Sequence, residues 1–182
     1  MNLDRNQQNW INYRNTCEQL NKKKILSIIQ GGKMNINNLY DIAEKEHIKI
    51  YDWYIENAYG AFINIDKINV IALNYNEFGT SIEEKETLAE ELGHYYYDAI
   101  YSLNCTDKIL ISKQERRAKK WAFNTLVSFE NLRKAILDGK TSILSLAEHF
   151  DVTTQFMSNC ITFYLEKYGY IITKEEMLQV SI

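Results

Sequence analysis

Hydrophobic residues recur every three or four positions along most of this chain, the spacing of one helix face. Trp10, Tyr13, Cys17, Leu20, Ile25, Ile28 and Ile29 trace such a stripe, and Gly31-Gly32 breaks it. Leu39, Ile42 and Ala43 mark a second helix that starts near Asn37 and ends by His47. The pattern then changes. "IKIYDWYI" (Ile48 to Ile55), "YGAFINI" (Tyr59 to Ile65) and "INVIALN" (Ile68 to Asn74) are β-branched, aromatic and partly alternating, as half-buried strands are. Only Asp66-Lys67 separates the last two, which predicts a tight hairpin, and the three strands predict a mostly antiparallel sheet.

After the loop "NEFGTS", Thr80 or Ser81 can cap a helix carrying Glu83 and Glu84 in its first turn and running from about Ile82 to Ser102. Another helix begins near Lys113, with Ala118, Trp121, Ala122 and Leu126 on one side. "ENLRKAILDG", "SILSLAEHF" and "DVTTQFMSNCITFYLEKYG" continue the helical pattern to a short polar tail. This order predicts an α+β fold: helices packed on a small antiparallel or mixed three-stranded sheet, with a C-terminal helical bundle. The expected organisation is an N-terminal helical extension (1–33), a central domain (34–128) and a C-terminal helical subdomain (129–182).

Composition narrows the function classes. A chain of 182 residues suits one domain with an appendage and can bury a core without staples. Its net charge of −3 gives no overall pull toward nucleic acid or an anionic membrane. The basic runs Lys22-Lys23-Lys24 and Arg116-Arg117 with Lys119-Lys120 read as solvated helix faces. Cys17, Cys105 and Cys160 form no CxxC pattern, which argues against a disulfide framework or a cysteine zinc site and fits a reducing cytoplasm. No apolar run approaches the ~20 residues that span a bilayer, and the polar N-terminus has no apolar signal core.

The chemistry concentrates in "TLAEELGHYYYDA" (Thr87 to Ala99). Glu90 and His94 stand at i and i+4, on one helix face a turn apart, and both can bind Zn²⁺. Glu91 lies three positions before His94, where it can lean over the same metal and deprotonate water. Gly93 removes bulk beside the histidine, so that sheet or substrate can approach. A third ligand must come from a later element, and Glu115 on the next helix is suitable. The same stretch also reads as a plain amphipathic helix, with Leu88, Leu92, Tyr95, Tyr96 and Ala99 buried and Glu90, Glu91 and His94 facing water. Tyr95, Tyr96 and Tyr97 read as packing residues.

This helix and the following "KQERRAKKWAFNTLV" resemble the ImmA/IrrE family of metallopeptidases, over roughly Met34 to Leu126. The resemblance implies a zincin-like fold in which one helix supplies two histidines and a general-base glutamate, and the next supplies a ligand glutamate. Carried over, Glu91 falls on the base and His94 on the second histidine. Ala118 and Trp121-Ala122 match an alanine and an aromatic-alanine pair, which puts Glu115 on the ligand glutamate. Glu90 replaces the first histidine, so the motif reads EELGH in place of HExxH. The implied cofactor is Zn²⁺, with Mn²⁺ or another divalent ion favoured somewhat by the harder oxygen ligands. The implied substrate is a helix-turn-helix repressor, whose cleavage relieves repression in a mobile element such as a phage, or in a stress regulon. The alternative is a non-catalytic pseudo-peptidase that captures a repressor or toxin partner.

"SILSLAEHFDVTTQFM" itself has helix-turn-helix form, with Phe150 and Val152 at the turn. Its second helix has no Arg or Lys before Lys167, so direct DNA binding is not expected, and a packing or substrate-docking role is.

Overall fold

A computed structural model describes residues 33–66, 68–99 and 105–172. The expected N-terminal helices and the polar tail lie outside them. From Met34 onward the chain forms one compact unit.

Helix α1 (Ile36–Lys45) begins with a capping box, in which the Asn35 side chain accepts from the Asn38 amide and Asn38 reciprocates. It buries Leu39, Ile42 and Ala43, the stripe the spacing predicts. His47, at φ 56, turns the chain into β1 (Lys49–Asp52). β2 (Gly60–Ile65) and β3 (Ile68–Leu73) form the expected hairpin, closed by the Ile65–Ile68 pair with Asp66 at φ 51.

The strand order is β1-β3-β2, with β3 antiparallel to β2 but parallel to β1. The sheet is therefore mixed rather than mostly antiparallel. The chain leaves β1, crosses to the far edge as β2, and the hairpin returns β3 into the middle. Asn74, fully buried, holds this crossing by donating its side-chain amide to the carbonyls of Ile55 and Ala58.

Helix α2 (Ser81–Tyr96) packs on the sheet. Thr80 and Glu83 form its capping box, as the loop chemistry predicts. The helix ends at Tyr96, short of the expected Ser102, because Asp98 takes a left-handed conformation at φ 47. Helix α3 (Lys108–Leu126) starts earlier than expected, capped by the Asp107 carboxylate on the amides of Ile109 and Leu110. Ile71 and Leu73 of β3 and Leu88 and Leu92 of α2 are fully buried. Each such side chain contributes about 1.5–3 kcal/mol.

Helices α4 (Phe129–Leu137), α5 (Ile143–Phe150) and α6 (Thr154–Tyr168) complete the described chain. Phe150 and Val152 are buried at the α5–α6 turn, as the pattern predicts. Asp151 makes that turn at φ 54. An ion pair and a pair of hydrogen bonds tie the turn to α2. The ammonium of Lys85, only 2% exposed, donates to the backbone carbonyl and the carboxylate of Asp151. Glu86 accepts from the amide and hydroxyl of Thr153, the residue that caps α6.

Candidate active site

Helices α2 and α3 cross at Gly93. A Cβ placed there would lie 2.3 Å from the carbonyl oxygen of Ala118. The close-approach glycine thus admits the next helix, where the sequence suggested sheet or substrate. This crossing brings α3 within one side-chain length of His94. Glu115, one turn before Ala118, puts its carboxylate 3.6 Å from His94 Nε2.

Glu91 and His94 are each 7% exposed, which rules out the plain amphipathic reading of α2 that faced them to water. Leu88, Leu92 and Ala99 are buried as that reading had them. Glu91 sits under β2: a Cβ on Gly60 would lie 3.2 Å from the Glu91 carboxylate, and the backbone amide of Phe62 faces that carboxylate. Burial pushes the Glu91 carboxyl up to about 8, with the charges of Glu90 and Glu115 adding to the rise and His94 opposing it. Burial alone would lower the His94 imidazole. The hydrogen bond that the ring donates to Glu115, the charge of Glu91 and the Ala99 carbonyl outweigh it and raise the group to about 9.

His94 Nδ1 lies 2.7 Å from the Ala99 carbonyl oxygen, which can only accept, so Nδ1 carries a proton, and in the metal-free imidazolium Nε2 carries the second. Nε2 is left to face Glu115. That arrangement is the one in which a second contact fixes the ring of a metal-binding histidine. The 3.6 Å between Nε2 and the carboxylate is also close to the edge of a tetrahedron with ligand bonds of about 2.1 Å.

Glu90 stands differently. Its carboxylate is 3.5 Å from the ammonium of Lys119 on α3. Burial raises its pKa, Lys119 works against that, and the Glu115 charge adds to it. Among the described residues, no three His, Cys, Asp or Glu side chains converge on one point. His94 and Glu115 face one another, and Glu90 is turned to Lys119 instead.

The tyrosines pack. Tyr95 and Tyr96 donate to Glu46, and Tyr96 stacks on Trp121 with ring centroids 5.0 Å apart. Tyr97 lies beneath the ammonium of Lys120. Arg117, in a run that reads as a solvated face, instead turns back to the end of α2. It donates to the carbonyls of Tyr97 and Asp98 and to Gln114.

A buried glutamate and an oriented histidine one turn apart thus lie beside an acid on the next helix, beneath a small mixed sheet. The sequence profile of the M78 peptidases, described as the IrrE N-terminal-like domain, matches residues 43–162. The chain belongs to this ImmA/IrrE family of metallopeptidases, a membership that implies a divalent metal and a protein substrate. The match runs past the expected end of the resemblance near Leu126, through α4 and α5 and into α6. No curated protein and no solved structure matches the chain. No helix among the described residues is long and apolar enough to cross a membrane.

Proposed function

We propose that this protein is a cytoplasmic metallo-endopeptidase acting on a helix-turn-helix repressor. In this reading Glu90, His94 and Glu115 hold the metal and Glu91 is the general base. The central part (34–128) carries the chemistry, and the C-terminal helices (129–182) support it. The observation that carries the reading is the Glu91–His94–Glu115 cluster: a buried carboxylate, a ring of fixed orientation and a facing acid.

A bound divalent cation, Zn²⁺ or a harder ion such as Mn²⁺, supplies Lewis-acid polarisation of the scissile carbonyl and a more acidic water. Glu91 accepts the proton of the attacking water and returns it to the leaving amine nitrogen. β2 is an edge strand beside Glu91, and an extended peptide can pair with such an edge. The repressor as substrate rests on family resemblance alone.

Glu91→Gln keeps the shape and removes the base. Cleavage of a candidate repressor should fall by about 10²–10⁴-fold while metal content stays unchanged. Cleavage that survives this change sinks the mechanism.

The pairing of Glu90 with Lys119 favours a second reading. There the ammonium holds the substituted position permanently, and the scaffold binds a repressor or toxin partner without cleaving it. Tight binding of the partner with no cleavage at saturating metal would select it.

A further inference from the structure

The last turn of α2 does more than end a helix. Tyr97 donates its amide to the Gly93 carbonyl, Asp98 to that of Tyr95, and Ala99 to that of His94. With Asp98 left-handed, this is a Schellman turn whose first residue is His94. Ala99 meets His94 twice. Its amide holds the histidine's carbonyl at 2.9 Å, and its carbonyl receives the ring's Nδ1–H at 2.7 Å. The orientation of the imidazole therefore depends on the turn at Asp98.

Asp98 is not glycine, and its left-handed conformation is one that side chains disfavour. The guanidinium of Arg117 compensates. It reaches from α3 to the carbonyls of Tyr97 and Asp98, and Gln114 steadies it at 2.8 Å. A helix C-terminus favours a cation and leaves carbonyls in need of donors, and the planar guanidinium meets both needs. The neighbouring crossing of Gly93 on Ala118 fixes the distance over which it reaches.

We propose that Arg117 is a positioning residue for His94. By clamping the Tyr97–Asp98 turn it holds the Ala99 carbonyl on Nδ1 and keeps Nε2 aimed at the Glu115 side. The part of this concerning metal affinity rests on the metallopeptidase reading above; the part concerning the ring does not.

The test follows the His94 Nδ1–H proton by ¹⁵N-edited NMR and Zn²⁺ affinity by competition with a chromophoric chelator. The full chain serves, as wild type, Arg117→Met, Arg117→Lys and the double variant Arg117→Met with Asp98→Gly. In wild type the Nδ1–H resonance should be protected from exchange with water. Arg117→Met should lose that protection and weaken Zn²⁺ binding about 10–100-fold, and Arg117→Lys should recover part of both. Glycine accepts the left-handed turn without help, so Asp98→Gly should restore the resonance to the Arg117→Met chain, including one that folds poorly alone. A folded Arg117→Met chain with an unchanged resonance overturns the proposal, as does a double variant that folds and fails to recover it. If wild type shows the protected resonance and Arg117→Met loses it, while neither binds Zn²⁺, the positioning role stands and the metal reading fails.

Discussion

The two halves of α2 bury charge in opposite ways. In the N-terminal half, Lys85 and Glu86 each meet fixed partners of matching chemistry. The ammonium has a carbonyl and a carboxylate, and the carboxylate has an amide and a hydroxyl. One turn on, Glu90 and Glu91 crowd toward Glu115, with His94 among them and Lys119 at the rim. In the first half each charge has hydrogen-bond partners, and burial raises the Glu86 pKa there too. In the second, burial raises the pKa of both Glu90 and Glu91, and the charge of Glu115 adds to each rise.

The most severe way to break the comparison is at the crossing that serves the second half. Gly93→Ala would force a methyl against the Ala118 carbonyl and push α3 off α2. We expect a loss of about 3 kcal/mol or more, at the top of the range for overpacking. A urea midpoint equal to wild type would mean that the helices are not in this contact.

Next comes the satisfied half. Lys85→Met keeps the buried stem and removes the ammonium. The Asp151 carboxylate is half exposed and can rehydrate, so the cost should be about 1–3 kcal/mol, that of lost charge-assisted hydrogen bonds. Cleavage per folded molecule should not change. A drop in specific activity as large as that of a site variant would show that the two halves are not separable.

The mildest perturbation is of pH, applied to the metal-free protein. Glu91 moves from 4.5 up to about 8 and His94 from 6.5 up to about 9. Both pKa values are higher folded than unfolded, so the folded state holds more protons between them. The stability they contribute is fully present below the unfolded values, near pH 4.5 for Glu91 and 6.5 for His94, and is lost as pH rises through about 8 and 9. Each proton accounts for at most about 1.4 kcal/mol per pH unit. Urea midpoints that climb from pH 5 to pH 9 would contradict the assignment. Metal replaces these protons, so its affinity should rise over the same interval.

Much of this was legible in the residues because it is local. The Asp66-Lys67 hairpin, the Thr80–Glu83 cap and the buried stripe of α1 follow from short-range pattern. The i and i+3 spacing of Glu91 and His94 is likewise local, and Glu115 on the next helix lies beside His94. What escaped was non-local or lacked its usual marker. The parallel pairing of β1 with β3 depends on a crossing that strand patterns do not encode. The early end of α2 carries no glycine, because Asp98 makes the turn that glycine usually makes. Arg117 sits in a basic run of a kind that is usually solvated, and its inward reach is set by where α2 ends. Lys85 is buried because the α5–α6 turn supplies its partners from 66 positions away. The pairing of Glu90 with Lys119 requires knowing which faces of α2 and α3 meet.

The central claim is that the second half of α2 is built to hold a metal. Elemental analysis of protein purified without chelators and dialysed against metal-free buffer tests it most directly. Close to one divalent ion per chain is expected in wild type and in Glu91→Gln, and little in His94→Ala. A metal content equal in wild type and His94→Ala would contradict it, as would none in wild type even after incubation with Zn²⁺ or Mn²⁺.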